Sequence, residues 1–221
     1  MQSNVAGAEP ETDRGFMTAK PTDELDSFFA AQAPAPGRVA ARPETESTAI
    51  TEFFNYWSSL PLRDGMPDAS DFAPSAIVRW LPEVILFELN APTIATYRLA
   101  GTAVVERLGH NPTGSNLIDL LPEERRAEAG RTLQEIALRP CGLHMRYVNN
   151  YSTGRIGQVE SLYLPLRPPA GSKPRVIAMN TPALTLAFEA NRPRTTVVAG
   201  VTEVTWIDIG FGTPCGSQPR P

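Results

Sequence analysis

Few residues of this chain are of the types that make or break bonds. Its 221 residues contain two histidines, His110 and His144, and two cysteines, Cys141 and Cys215. A structural zinc site takes four such ligands at close spacing, and these four are scattered. Neither a metal centre nor a Cys–His nucleophile pair is indicated. Cys141 and His144 lie three apart, which on a strand turns them to opposite faces. One acid/base pair is open to the chain, His144 with Glu160 across a hairpin. Strand alternation, however, directs His144 outwards. Gly210-Phe211-Gly212 lacks the third glycine and the strand–helix setting of a dinucleotide loop. Asn150-Tyr151-Ser152 matches a glycosylation sequon, but no secretory signal precedes it. These residues point away from catalysis and towards binding.

Composition narrows the classes further. The net charge is −4. Residues 1–46 carry eight acids and four bases, and the remainder of the chain is neutral. No basic stripe with interleaved aromatics exists for nucleic acid, and no basic amphipathic helix for a membrane surface. No run of about 18 apolar residues exists for a membrane span. The N-terminus has neither the basic start nor the apolar stretch of a signal peptide. Two cysteines make no disulfide scaffold, so a reduced, cytoplasmic setting is the expectation. The 22 prolines and 16 glycines show no period of three, which excludes collagen.

The elements that would position a binding site follow from pattern. Residues 1–46, rich in Ala, Pro, Glu and Thr, offer too little apolar surface to order and read as a disordered acidic tail. Residues 47–209 form the folded domain, and 210–221 a second tail. The domain opens with an amphipathic helix from Thr48 to Leu60, capped by Ser47 or Thr48 and stopped by Pro61. Its stripe of Ile50, Phe53, Phe54 and Trp57 must be buried on its own sheet or on a partner; a homodimer contact is the expectation. A short helix from Pro74 to Pro82 follows. The apolar run Glu83–Leu89 predicts a strand covered on both faces, and Ile94–Leu99 its antiparallel neighbour. Helices are predicted over Thr102–Leu108 and 123–138, with Pro122 at the first position of the latter and Glu123 and Glu124 in its first turn. Alternation then gives a hairpin of 143–148 with a strand ending at Leu166. Two further β-prone stretches are Arg175–Phe188, where Pro182 implies a break or an edge, and Thr195–Ile209. This order predicts an α+β fold, an antiparallel sheet with helices inserted on one face.

Two motifs carry a resemblance. Tyr97-Arg98-Leu99-Ala100-Gly101-Thr102 is a strand ending in glycine that opens the inserted helices. Leu108-Gly109-His110-Asn111-Pro112-Thr113-Gly114 leads through Ser115 to the apolar run Leu117–Leu121 and then Pro122-Glu123. Together they resemble the PAS domain. Phe54-Asn55-Tyr56-Trp57, Leu81-Pro82-Glu83-Val84 and Leu162-Tyr163-Leu164-Pro165-Leu166 are similar to recurring elements of a bacterial stand-alone PAS family.

The resemblance implies a pocket between the sheet's inner face and the inserted helices. Mapped by alternation, Tyr97, Leu99, Leu117, Leu120, Leu133, Met145, Tyr147, Leu162 and Leu164 would line it or simply pack the core. As a ligand site it would be a small apolar pocket closed by two tyrosine hydroxyls. Some PAS domains hold haem through an axial His on the long helix; 123–138 has none. Flavin-adduct chemistry needs a Cys in the loop that here reads Asn111–Asn116. No cofactor is expected. The implied function is a non-enzymatic sensory or regulatory module that binds a small apolar or amphipathic ligand and signals by protein–protein contacts, as a homodimer or with a signalling partner. The alternatives are a ligand-free structural adaptor, and an isomerase- or dehydratase-type enzyme built on His144 and Glu160. Arg98 should face away from the pocket and pair with Glu88 or Glu160.

Overall fold

The computed structural model describes residues 38–189 and 195–214. Strand β1 (Arg38–Ala40) precedes helix α1 (Thr48–Ser59), and a small separate hairpin of β2 (Leu62–Arg63) and β3 (Met66–Pro67) follows. Then come β4 (Val84–Ala91), β5 (Ile94–Ala100), α2 (Thr102–Leu108) and α3 (Glu123–Leu138). The chain finishes with β6 (Gly142–Asn150), β7 (Arg155–Leu166), β8 (Arg175–Phe188) and β9 (Thr196–Ile207). The short helix expected over Pro74–Pro82 is two separate 3-10 turns, Pro74–Ile77 and Leu81–Glu83. Pro122 stands at the N-cap of α3, one residue before its first turn.

One seven-stranded sheet dominates, in the order β1-β9-β6-β7-β8-β4-β5. The strands flanking α2 and α3 therefore join into a single layer, with every pair antiparallel except β1–β9. That exception corrects the sequence reading. Residues 38–40 belong to the sheet, Val39 opposite Trp206, although the disordered tail was expected to run to residue 46. Backbone hydrogen bonding to an existing edge orders a segment that its own apolar content would not. Residues 41–46 are described too, whereas residues 1–37 of that tail, and 215–221 with Cys215, lie outside the described residues.

Both faces of the sheet are covered. On the inner face α2, the 3-10 turn Leu117–Leu120 and α3 bury Val104, Leu108, Leu117, Leu133 and Ile136 against Ile85, Phe87, Leu143 and Val176. On the outer face α1 buries Ile50, Phe53 and Trp57 against Leu162, Leu164, Ile177 and Met179. The Trp57 indole Nε1 donates to Pro165 O at 3.0 Å, so the only polar atom of that ring is satisfied. This corrects the dimer reading of the helix. Ile50, Phe53 and Trp57 are sealed by the chain's own sheet, and Phe54 is half-buried against the same cluster. Helix α1 starts because the Ser47 side chain accepts from Ile50 N at 3.3 Å. It ends where Leu60 N closes onto Trp57 O and Pro61 cannot continue.

Two local features set where the inserted helices sit. Glycine 109 ends α2 in the left-handed conformation, φ 78°, which turns the chain at once into the following loop. Gly130 lets α3 cross the β4–β5 turn in direct contact, since a Cβ there would stand 1.8 Å from Pro92 O.

Candidate functional site

Between α2 and the inner face of the sheet lies a cavity of about 20 Å³ for the centre of a water-sized molecule, room for roughly one water. Its apolar wall comes from Ile85 and Phe87 of β4, Val104 and Leu108 of α2, and Leu117. Its polar end is formed by Tyr147, Tyr163, Asn149 and Asn180.

The polar end is a connected network. Asn180 Nδ2 donates to Tyr147 Oη at 2.6 Å and to Ser161 Oγ at 2.9 Å. Tyr147 Oη also bonds Ser161 Oγ at 2.8 Å and lies 3.4 Å from Tyr163 Oη. Arg107 of α2 donates to Asn180 O at 2.7 Å and to its Oδ1 at 3.2 Å. The same guanidinium pairs with Glu83 at 2.6 Å, so the one cation of the lining arrives with its counter-ion. Asn149 Nδ2 donates to Tyr151 Oη at 3.2 Å while its Oδ1 accepts from Val198 N at 2.9 Å. Burial raises the phenols of Tyr97, Tyr147 and Tyr163, with neighbouring tyrosines adding for Tyr97 and Tyr147. Tyr163 is pushed up to about 12. Apart from Arg107 with its counter-ion, the polar groups at the cavity are therefore neutral donors and acceptors.

Of the nine expected pocket residues, Tyr97, Leu117 and Tyr147 line this cavity. Leu133 lies deeper in the inner core, and Leu120 and Met145 pack against its margin. Three face elsewhere. Leu162 and Leu164 point to the outer face, beneath α1. Leu99 is 46% exposed because of a β-bulge: Phe87 pairs with Tyr97 but Leu86 with Leu99, leaving Arg98 as an extra residue. An extra residue reverses the alternation beyond it. Arg98 itself is exposed and pairs with Glu88 at 3.9 Å, one of the two partners expected.

The polar residues missed are Tyr163, Ser161, Tyr151, Asn180, Asn149 and Arg107. Two of them were within reach of the pattern. Strand β6 pairs with β7 in a register that sets Leu143 opposite Tyr163 and Met145 opposite Ser161. Odd residues of β6 thus share a face with odd residues of β7. Taking Met145 and Tyr147 as inward requires Ser161 and Tyr163, not Leu162 and Leu164. Asn180 and Arg107 carry no such signal, since they reach the cavity only through tertiary packing.

His144 and Glu160 do meet, with Nε2 2.7 Å from Oε1, but on the outer face. His144 is 1% exposed and the sheet separates it from the cavity. Arg146 donates to the same carboxylate oxygen at 3.2 Å and to Glu203 at 2.8 Å. Burial raises the Glu160 carboxyl, yet hydrogen bonds from His144 and Thr45 and the charges of His144 and Arg146 outweigh it, leaving it below the ordinary value. His110 stands in the loop after α2, its Nδ1 3.2 Å from Leu108 O. Among the described residues no group of three or more His, Cys, Asp or Glu is placed to hold a metal ion.

A single sheet with helices inserted between its second and third long strands, and a small inner-face cavity beneath them, defines a class of α+β domain. The sequence model of the PAS domain family matches residues 45–180, and the chain belongs to that family. PAS domains are sensory and regulatory modules. Among solved structures, a LOV protein of Rhodobacter sphaeroides is 13% identical over 45% of this chain and 57% of its own, with a TM-score of 0.36. VqmA bound to DPO is 14% identical over 49% of this chain and 55% of its own, with a TM-score of 0.40. The PAS domain of a protein from Colwellia psychrerythraea is 10% identical over 46% and 85%, with a TM-score of 0.36. The chain spans a little over half the length of the first two. No curated protein matches it. None of the helices among the described residues is long and apolar enough to cross a membrane.

Proposed function

We propose that this chain is a non-enzymatic sensory module whose inner-face cavity takes a small neutral molecule with an apolar body and a polar head. The occupied state is passed on through protein–protein contacts, with a second copy of the chain as the partner. The observation that carries this reading is the Tyr147–Ser161–Asn180 network at one end of an otherwise apolar cavity. A buried polar cluster beside open space fixes the orientation of a ligand that apolar walls alone would not. The phenols of Tyr97, Tyr147 and Tyr163 stay protonated and Arg107 is already paired with Glu83, so the site favours a neutral ligand over an anion.

The cavity as it stands is small. A ligand of several heavy atoms enters only with an outward shift of α2, so binding and conformational change are the same event. That small volume also favours a second reading, an adaptor whose inner core is simply filled. His144 and Glu160, closed off on the opposite face, give no support to an enzyme.

Native mass spectrometry of the purified full chain, followed by thermal-shift measurements across small neutral metabolites, separates these readings. A bound or stabilising molecule whose effect is lost in Asn180→Leu supports the sensor. A clean unliganded mass with no shift across the panel overturns it in favour of the adaptor.

A further inference from the structure

One nitrogen beside the cavity faces more acceptors than it has hydrogens. Arg107 Nη2 carries two N–H groups. It donates to Asn180 O at 2.7 Å and to Asn180 Oδ1 at 3.2 Å, and Glu83 Oε2 stands 2.6 Å away. That carboxylate oxygen is buried and accepts no hydrogen bond among the described residues, so it is paired by charge alone. Asn180 belongs to the cavity wall and Glu83 does not. The guanidinium is therefore shared between the site and a group outside it.

The two partners sit on different parts of the fold. Glu83 ends the 3-10 turn Leu81–Glu83, against which α2 begins. That junction is fixed: Gly101 N donates to Val84 O at 2.8 Å, and a Cβ on Gly101 would stand 2.2 Å from Pro82 O. Arg107 lies in the last turn of α2, and a long helical side chain points back towards the N-terminus, which brings it to Glu83. Asn180 is on β8, in the sheet. The last turn is tied there by Arg107, and to the start of β9 by Leu108 O, which accepts from Thr195 Oγ1 at 3.3 Å. Val104 and Leu108 of the same helix wall the cavity, so lifting this end opens it.

We infer that Arg107 is the latch of the cavity. Closed, as in this structure, its N–H groups engage Asn180 and hold the last turn of α2 on β8. Open, α2 tilts about Gly101, the same N–H groups turn to Glu83, and the cation leaves the site still paired. Arg107 is only 9% exposed, and a buried cation that lost Asn180 with no second acceptor would oppose opening strongly. Glu83 thus stabilises the open form more than the closed one. The inference rests on the proposed inner-face site and supplies its regulation: a ligand whose polar head bonds Asn180 displaces Arg107 towards Glu83, and the occupied state is a new position of α2.

The test needs no ligand. Val104→Cys places a thiol in the cavity wall of the full chain, with Cys141→Ala and Cys215→Ser removing the others; Val104 is 4% exposed. The rate at which methyl methanethiosulfonate, a small neutral reagent, modifies that thiol reads the population of the open form. Arg107→Met is expected to raise the rate at least about tenfold, the effect of taking a charged hydrogen bond from the closed form. Glu83→Gln is expected to lower it at least about threefold, because the open form loses the carboxylate that would hold the cation. Arg107→Met/Glu83→Gln leaves neither charge without its partner and should follow Arg107→Met. Thermal melts confirm that each variant is folded at the assay temperature. An ion pair that only stabilises the fold would make both single variants faster. That result, or an unaltered rate in either, overturns the latch. It does so without touching the sensor reading, which the metabolite panel decides separately.

Discussion

Asn180 uses both ends of its amide and its own carbonyl. It bonds Tyr147 and Ser161 on one side and Arg107 on the other, so it ties β6, β7 and α2 to one point on β8. Replacing it by leucine leaves the Tyr147 and Ser161 hydroxyls each short of a partner, while Arg107 keeps the Asn180 carbonyl and Glu83. The expected loss is about 2–3 kcal/mol of unfolding free energy, measured by urea denaturation. A change under about half a kcal/mol would show that water takes over those bonds. Glu160 makes a different statement on the outer face. Its folded carboxyl lies below the ordinary 4.5, so the folded state holds that proton less readily than the unfolded chain. Its contribution is complete above about 4.5 and is lost as pH falls through the lowered folded value. Glu160→Gln should therefore lower stability at neutral pH and flatten the acid limb of the stability–pH curve. Parallel acid limbs in wild type and variant would remove the pairing from the account.

At the scale of elements, α3 offers a test of sign. Propensity alone says that Gly130→Ala in a helix interior gains roughly 1 kcal/mol. The structure says otherwise, because the added methyl meets Pro92 O at 1.8 Å. Gly130→Ala is expected to destabilise by about 1–3 kcal/mol as α3 lifts from the β4–β5 turn, again read by denaturation. Helix α1 poses the matching question for the outer face. Trp57 and Phe53 are fully buried within one chain, so Trp57→Ala should cost about 3–5 kcal/mol in unfolding free energy and leave the association state unchanged. A change in association with unaltered unfolding would restore α1 as an interface.

At the scale of the whole molecule, one sheet carries two cores back to back. Ile136 beneath α3 and Trp57 beneath α1 press on opposite faces of the same strands. Neither core persists without the sheet between them. Ile136→Ala, at about 2–5 kcal/mol, and Trp57→Ala should each lower one shared thermal transition rather than split it in two. Calorimetry that shows two separable transitions in either variant would mean the faces fold independently.

Most of the elements were legible in the sequence. Ser47 and Pro61 bracket α1, Gly101 and Gly109 bracket α2, and the acids after Pro122 mark the start of α3, because caps and breakers act within a few residues of themselves. The pairing of the strands into one layer also followed from their order. The side each strand turns to the ligand did not. Alternation reports burial, and β7 is buried on both faces, so its leucines are as well explained by α1 as by a pocket. The bulge at Arg98 then reversed Leu99, and the edge supplied by β9 ordered residues 38–40. Sequence determined what is local: the helices, the turns and the apolar runs. Tertiary structure alone decided which face holds the cavity and which residues close its polar end, since each depends on groups far apart along the chain.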